Sequence, residues 1–424
     1  MHKIKLGTSN IAFLLLSIYY AWFFLPFLRI TFNSQLHKNL FFLFFAAGVM
    51  ILFLNYMINS GWKIKLTINI LVPIIIYMLV MTGFVLFDYF DAAKHIRVSF
   101  TFWGTALVYF LISYNPSLQR AFGKYLLFLF VINCVTSFIG VYTIPGAARA
   151  LANASKSDKA IEEDIYLSRR NISSIYLFQS LVVISPIFIF MIKKKIKVLW
   201  ATLAILFIFL AIIKASFTIS LLLLLAGIIL SLVYVKGLTG KVMLVLSMLV
   251  LVLLPWASIF EILASKIDNT YISTRLHDLS VFFSVGNASG NVSSRFNAYM
   301  SSLQTFIRNP LGIGARYSYK MLENGIGYHS QILDDLARYG VFALAFYVVF
   351  LTQYYKLLKR QWAKINMEEV VFPVFIIYLG FLTLNLAFRS SAESVVILFV
   401  LPILPDIIQH RSNLLKKPKE QHND

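Results

Sequence analysis

Long apolar stretches recur along almost the whole chain, and they constrain it more than any other feature. About twelve of them, each roughly 17–23 residues, lie near 10–28, 39–58, 66–87, 97–114, 122–144, 173–192, 197–213, 217–235, 241–259, 336–355, 369–387 and 391–409. A helix of that length matches the hydrocarbon thickness of a bilayer. Inside that layer the backbone has no water to bond, and a helix satisfies its own N–H and C=O groups. The composition agrees: 59% of the residues are hydrophobic and 13% charged, against about 25% charged in a soluble domain. The expected fold class is therefore all-α, a polytopic membrane protein of about 12 transmembrane helices with a large, partly helical extracytoplasmic loop. The first stretch lacks a small-residue cleavage site and reads as a retained anchor. The seventh and eighth are separated by a few residues, and a re-entrant pair there would leave the rest unchanged.

The formal charge of +20 raises the question of nucleic acid, and the placement of the charges answers it. With the N-terminus inside, short inner segments hold twenty of the 38 basic residues, among them Lys193, Lys194, Lys195, Lys197, Lys356, Lys359 and Arg360. Such a bias orients a membrane protein with both termini in the cytoplasm. No nucleic-acid partner is expected; the lipid bilayer is. Cys134 is the lone cysteine and sits in an apolar run, so neither a disulfide nor a cysteine metal site is available.

Three parts follow. Residues 1–259 hold the first nine spans with an outside loop at 145–172; residues 260–335 form the large extracytoplasmic loop; residues 336–424 hold the last three spans and a cytoplasmic tail. The large loop keeps apolar residues at helical spacing and is expected to be folded. Within it, 295–307 places Phe296, Met300, Leu303 and Ile307 on one stripe, with Ser294 as N-cap, as in an amphipathic helix lying on a surface. Asn309-Pro310 ends that helix, and Leu311-Gly312-Ile313-Gly314 makes a turn whose backbone can approach a ligand closely. Another helix begins near Ser330, with His329 just ahead of it and Asp334 and Asp335 in its first turns, and runs past Gly340 into the next apolar run.

Arg149, Arg169, Arg170, Arg275, Arg295, Arg308, Arg316, Arg338 and Arg389 all fall on the outer side. Guanidinium binds phosphate bidentately, which suits a diphosphate held at a lipid surface; pairing with headgroups or with Glu162, Glu163 and Asp164 is the plainer alternative. His329, at the positive end of a helix dipole, is expected to be neutral and able to take a proton from a hydroxyl. Capping the helix is its plainer role. His277, beside Asp278, is a weaker candidate. No metal-ligand spacing stands out on the outside, although Asp88 with Asp91, or Asp334 with Asp335, could hold a cation. There is no nucleotide-binding Gly-rich strand–helix unit or P-loop. An enzyme of this kind uses a substrate that already carries a good leaving group, with no cofactor and no metal.

The order of these parts, an arginine-bearing amphipathic helix, then Asn-Pro-Leu-Gly-Ile-Gly, then a histidine at the mouth of a helix reading Leu-Ala-Arg-Tyr-Gly, resembles the O-antigen ligase and polymerase (Wzy-type) family of membrane glycosyltransferases. The motif covers residues 295–344, and the spacing of spans extends the likeness over the chain. The resemblance implies action in the bacterial inner (plasma) membrane on an undecaprenyl-diphosphate-linked oligosaccharide, with a chain-length regulator as a further candidate partner. It implies that Arg295 holds the diphosphate and His329 activates the acceptor hydroxyl. Arg275 and Arg316 each precede a glycine by ten intervening residues, Gly286 and Gly327, a spacing some of these polymerases carry. The family also opens a mid-chain span with a Ser-Arg pair; here Lys214-Ala215-Ser216-Phe217-Thr218 has Phe217 at that place. Lys214, or Arg149, Arg169 or Arg170 of the 145–172 loop, then becomes the candidate for the second cation. The expected activity is polymerisation of repeat units into a surface polysaccharide, O-antigen or capsule. Ligation to a lipid acceptor is the alternative within the family, and a glycan transporter or flippase the alternative outside it.

Overall fold

The computed structural model describes residues 2–59, 71–87, 89–144, 146–151, 158–215, 217–234, 254–267, 270–285, 291–314, 325–386 and 391–416. Among these the chain forms helices and turns and no strand. Helix α1, His2–Phe24, closes on the short α2, Pro26–Thr31. Pro26 suits the first helical position, where a backbone N–H has no intrahelical partner. Helix α3, Gln35–Asn59, runs antiparallel to α1: Thr8 meets Asn55 at one end, and the rings of Tyr19 and Phe45 lie 4.7 Å apart further along. Next come α4, Leu71–Phe87, and α5, Tyr89–Ile112. Helix α6, Pro116–Thr143, is capped by Asn115, whose side chain accepts from Leu118 N at 3.1 Å.

Two short helices, α7 (Ala147–Ala150) and α8 (Asp158–Arg169), precede a group of three: α9 (Ile175–Lys193), α10 (Val198–Ala215) and α11 (Thr218–Val233). Then α12, Trp256–Lys266, and α13, Thr270–Val285, form a hairpin with its own small core of Phe260, Ala264 and Leu276. Helix α14, Asn291–Arg308, and the long α15, Gln331–Ala363, carry the stretch singled out in the sequence. After a 3₁₀ turn comes α16, Val371–Leu384. Last are α17 (Ser391–Val395), a π turn (Val396–Val400) and α18 (Leu401–Lys416). Tyr354 of α15 donates to the carbonyl of Ile397 within the π turn at 2.6 Å.

Six helices among the described residues are long and apolar enough to cross a membrane: Gly7–Phe24 within α1, and α3, α6, α9, α10 and α15. This is a membrane-embedded helical protein. The third, eighth and eleventh apolar stretches meet the shorter α4, α11 and α16, and the fourth meets the apolar part of α5 at Phe100–Ile112. The twelfth meets α17, the π turn and α18, and the ninth, 241–259, falls mostly outside the described residues. Polar ties fix which helix ends lie together. Lys193 Nζ donates to Ser231 O at 3.0 Å, Lys194 pairs with Glu369 at 3.0 Å, and Lys364 pairs with Asp406 at 3.0 Å. At the opposite end Gln331 N donates to Asn385 O at 2.9 Å, so the starts of α9, α11 and α15 share an end with the finish of α16.

Helix α15 does not run through Gly340 as its sequence led one to expect. It breaks there, with φ 59° and ψ −138°. Val341 N turns from the helix and donates to Pro310 O at 2.8 Å, while Ala337 O and Arg338 O accept from Ile313 N (3.0 Å) and Gly314 N (2.9 Å). The Gly-rich turn is thus spliced into the break and completes the hydrogen bonds that the helix gives up. Its close backbone approach is made to α15, not left open for a ligand: a Cβ on Gly340 would collide with Pro310 O, and one on Gly312 with Arg338 O. Gly340→Ala therefore combines a left-handed alanine with a backbone clash and is expected to cost about 2 kcal/mol or more. A lower melting temperature of the detergent-purified protein checks this; an unchanged one would show the break to be dispensable.

Candidate functional site

Helix α14 begins at Asn291, three residues ahead of the expected cap, and meets the rest of the protein through its small residues. Ala298 and Ser302 are buried, while Phe296 and Ile307 stand exposed at 46% and 66%. Only a small face allows the approach seen here, since a Cβ on Gly327 would strike Ala298 O. Of the apolar stripe read from the sequence, Phe296 and Ile307 therefore stand exposed, while Met300 and Leu303 are half-buried and the Phe296 ring lies 5.7 Å from that of Phe282.

The contact is fixed by Asp334. Ser302 Oγ donates to Asp334 Oδ1 at 2.6 Å and accepts from Gly327 N at 2.8 Å. Ser330 N donates to Asp334 Oδ2 at 3.2 Å, and Ser330 Oγ accepts from Leu333 N at 3.1 Å, a reciprocal cap on α15. Thr305 and Tyr299 add bonds from α14 to Gly325 O (2.7 Å) and Leu384 O (3.0 Å). Asp335 accepts from Gln331 Nε2 (2.8 Å), Tyr347 OH (2.7 Å) and Arg338 Nη1 (3.2 Å). Arg338 in turn lies over the Tyr328 ring, 5.2 Å from its centroid. The two aspartates, read from the sequence as dipole-facing acids or a cation site, are buried hubs bonded to protein partners, with Asp334 facing the helix N-terminus as the first reading has it.

His329 sits between these anchors. Tyr328 before it has φ 57°, uncommon for a bulky side chain, and is packed with Ile326, Ala337 and Ile313. Burial, and next the Arg295 guanidinium, push the His329 pKa down to about 4. The neutral imidazole expected from the sequence is present, with burial and Arg295 as the causes where the helix dipole was expected. Arg295 also opposes the burial that raises the Tyr299 hydroxyl pKa. Arg295, Tyr299 and His329 thus share one electrostatic neighbourhood, in which a proton acceptor stands beside a fixed cation.

The other candidates are not gathered there. Arg169 and Arg170 are exposed at the end of α8, with Arg170 over Tyr166 at 4.7 Å. Lys214 is exposed at the end of α10 over Tyr142 at 5.1 Å. Among the described residues none of these three touches His329 or Arg295. Arg316 lies outside the described residues, as do the side chains of Arg149 and Arg275. His277 pairs with Glu261 at 2.9 Å, an exposed tie within the α12–α13 hairpin. Ser302, Tyr299 and the inward role of Asp334 went unread in the sequence; the available signal was the spacing of Arg295, Ala298 and Ser302 on one helical face.

Because folding lowers the His329 pKa from 6.5 to about 4, the unfolded chain binds the extra proton. The stability held by neutral His329 is full above about pH 6.5 and declines as pH falls towards 4. Arg295→Gln is expected to raise the His329 pKa while leaving it below 6.5, since burial is the larger cause. Carbon-13 histidine NMR across pH 3–8 checks this, and an unmoved titration would separate the two residues.

No protein-family model matches the chain, and no curated protein matches it, so the reading of this site stands on its own residues.

Proposed function

We propose that the chain is a glycosyltransferase of the Wzy type, which joins undecaprenyl-diphosphate-linked oligosaccharide repeat units into a surface polysaccharide. The observation that carries this is that His329 lies within the electrostatic reach of Arg295 on α14, a helix that leaves Phe296 and Ile307 exposed. In the proposed orientation about twelve spans cross the bacterial inner membrane with both termini in the cytoplasm, so the site faces outward at the level of lipid headgroups.

The acceptor hydroxyl oxygen attacks the anomeric carbon of the donor sugar. A new C–O bond forms as the bond from that carbon to the phosphate oxygen breaks, and the electron pair leaves with the lipid diphosphate. His329 takes the hydroxyl proton, and Arg295 stabilises the charge that develops on the leaving group. A base with a pKa of about 4 is weak alone. A diphosphate seated on Arg295 offsets the positive charge that depresses it, and the imidazole then becomes more basic. Base strength is in this way coupled to donor loading, which limits proton uptake by the imidazole in the empty site.

The ligase reading uses the same chemistry with a lipid-anchored acceptor, and the transporter reading needs neither residue. Purified protein with lipid-linked oligosaccharide and no other enzyme should lengthen the glycan. His329→Ala and Arg295→Ala should each reduce product at least about 100-fold at unchanged membrane level. Failure of the wild type to elongate would favour transport. A deletion strain that carries single repeat units at its surface supports the polymerase, and one with no attached glycan supports the ligase.

A further inference from the structure

A second group of polar side chains lies inside the bundle at the same end as His329, and the proposed chemistry does not use it. Gln179, one turn into α9, is wholly buried, and neither atom of its amide has a hydrogen-bond partner. Ser220 near the start of α11 is likewise wholly buried, with its hydroxyl unpaired. Asn385, which ends α16, has its Nδ2 buried and unpaired, and Ser394 of α17 its hydroxyl. Glu393 beside it is 1% exposed. Phe178 and Phe217, 6.0 Å between ring centroids, join the starts of α9 and α11. Helices α9, α11 and α16 pack on one another, and α17 packs on α9. The main chain of Asn385 accepts from Gln331 N, two residues after His329, and that of Leu384 accepts from Tyr299 OH.

Buried amides and hydroxyls in proteins are nearly always paired, because leaving them unpaired costs free energy. Several unpaired ones, brought by four helices to one end of the bundle, point to a ligand as the missing partner. Its chemistry follows from what is offered. An amide presents two donors and an acceptor, and a hydroxyl presents one donor and two lone pairs. The set is balanced between donating and accepting. A phosphate would call for cations, and a metal for acceptors alone. A neutral, hydroxyl-rich molecule meets both needs.

We propose that Gln179, Ser220, Asn385 and Ser394 form a carbohydrate subsite that receives the acceptor glycan. The acceptor role rests on the glycosyltransferase reading above; the binding of a sugar does not. The group is closed off in this structure, and the helix ends must part to admit a sugar. Non-helical residues already stand there: Phe217 (φ −103°, ψ 98°) ahead of α11 and Asn385 (φ −149°, ψ 171°) behind α16. Movement at these points would leave the helices themselves intact.

The test uses the full chain in lipid nanodiscs and, as probe, the repeat-unit oligosaccharide released by mild acid from the host's own lipid-linked precursor. Calorimetry should show wild-type binding that Gln179→Met and Ser220→Ala each weaken at least tenfold, with melting temperatures not lowered, since neither side chain serves the fold through a hydrogen bond. Unchanged affinity in both variants, or no wild-type binding, overturns the subsite. Elongation of lipid-linked glycan by wild type and His329→Ala is measured in the same preparations. Loss of elongation in His329→Ala with normal binding by the Gln179 and Ser220 variants removes the subsite and keeps the enzyme. Weakened binding in those variants with no elongation by the wild type keeps the subsite and removes the enzyme.

Discussion

The hydrogen bond from Ser302 to Asp334 is the contact on which the placement of the rest of the site depends. Helix α14 packs Phe306 against the core and sets the buried small residues Ala298 and Ser302 beside it, and the Ser302 bond fixes its rotation and height. A buried carboxylate that accepts from a serine on one element and a backbone amide on another specifies both. Removing either partner leaves a buried group without its bond, which costs about 1–3 kcal/mol, more than the bond contributes net when made. The arrangement is therefore specific as well as stabilising: other rotations of α14 would strand the Asp334 carboxylate.

The break at Gly340 serves the same end by another route. A straight α15 would keep its own hydrogen bonds and leave the 310–314 turn without partners. The left-handed glycine releases two carbonyls and one amide, and the turn takes all three. The turn that ends α14 is thereby bound to the helix that begins one residue after Ser330 and its neighbour His329. Arg295 and His329, far apart in sequence, are held by two independent backbone and side-chain clamps.

Much of this was readable from the chain, and the remainder was not for physical reasons. Apolar runs of bilayer length announce helices because no other backbone state satisfies itself there. The neutral histidine was readable from its place ahead of a capped helix, although the cause assigned to it was the helix dipole where burial and Arg295 act. Asp334 faces the helix N-terminus as read, but its burial and its bond to Ser302 were hidden because acids in a first turn are favoured by the dipole whether or not they face inward. Which face of α14 meets the protein was also hidden. Its strongest periodic signal runs from Phe296 to Ile307, both of which stand exposed, and the buried small residues Ala298 and Ser302 carry no hydropathy signal. The helix break could not be seen because a glycine within an apolar periodic run reads equally well as a tolerated one.

In the proposed reaction the rate comes from positioned charge, and the medium decides how much that charge is worth. In water a guanidinium and a phosphate attract weakly; near a low-dielectric phase the same pair attracts several times more strongly. Burial within the protein and the Arg295 guanidinium likewise penalise a protonated imidazole at His329. Placing the two groups together therefore sets up an exchange: the anion that binds the guanidinium removes part of the penalty on the proton the imidazole must accept. The apolar stripe on α14 belongs to the same argument. In the proposed reading it brings Arg295 to the boundary where an anionic lipid headgroup would reside, with His329 within the electrostatic reach of that guanidinium.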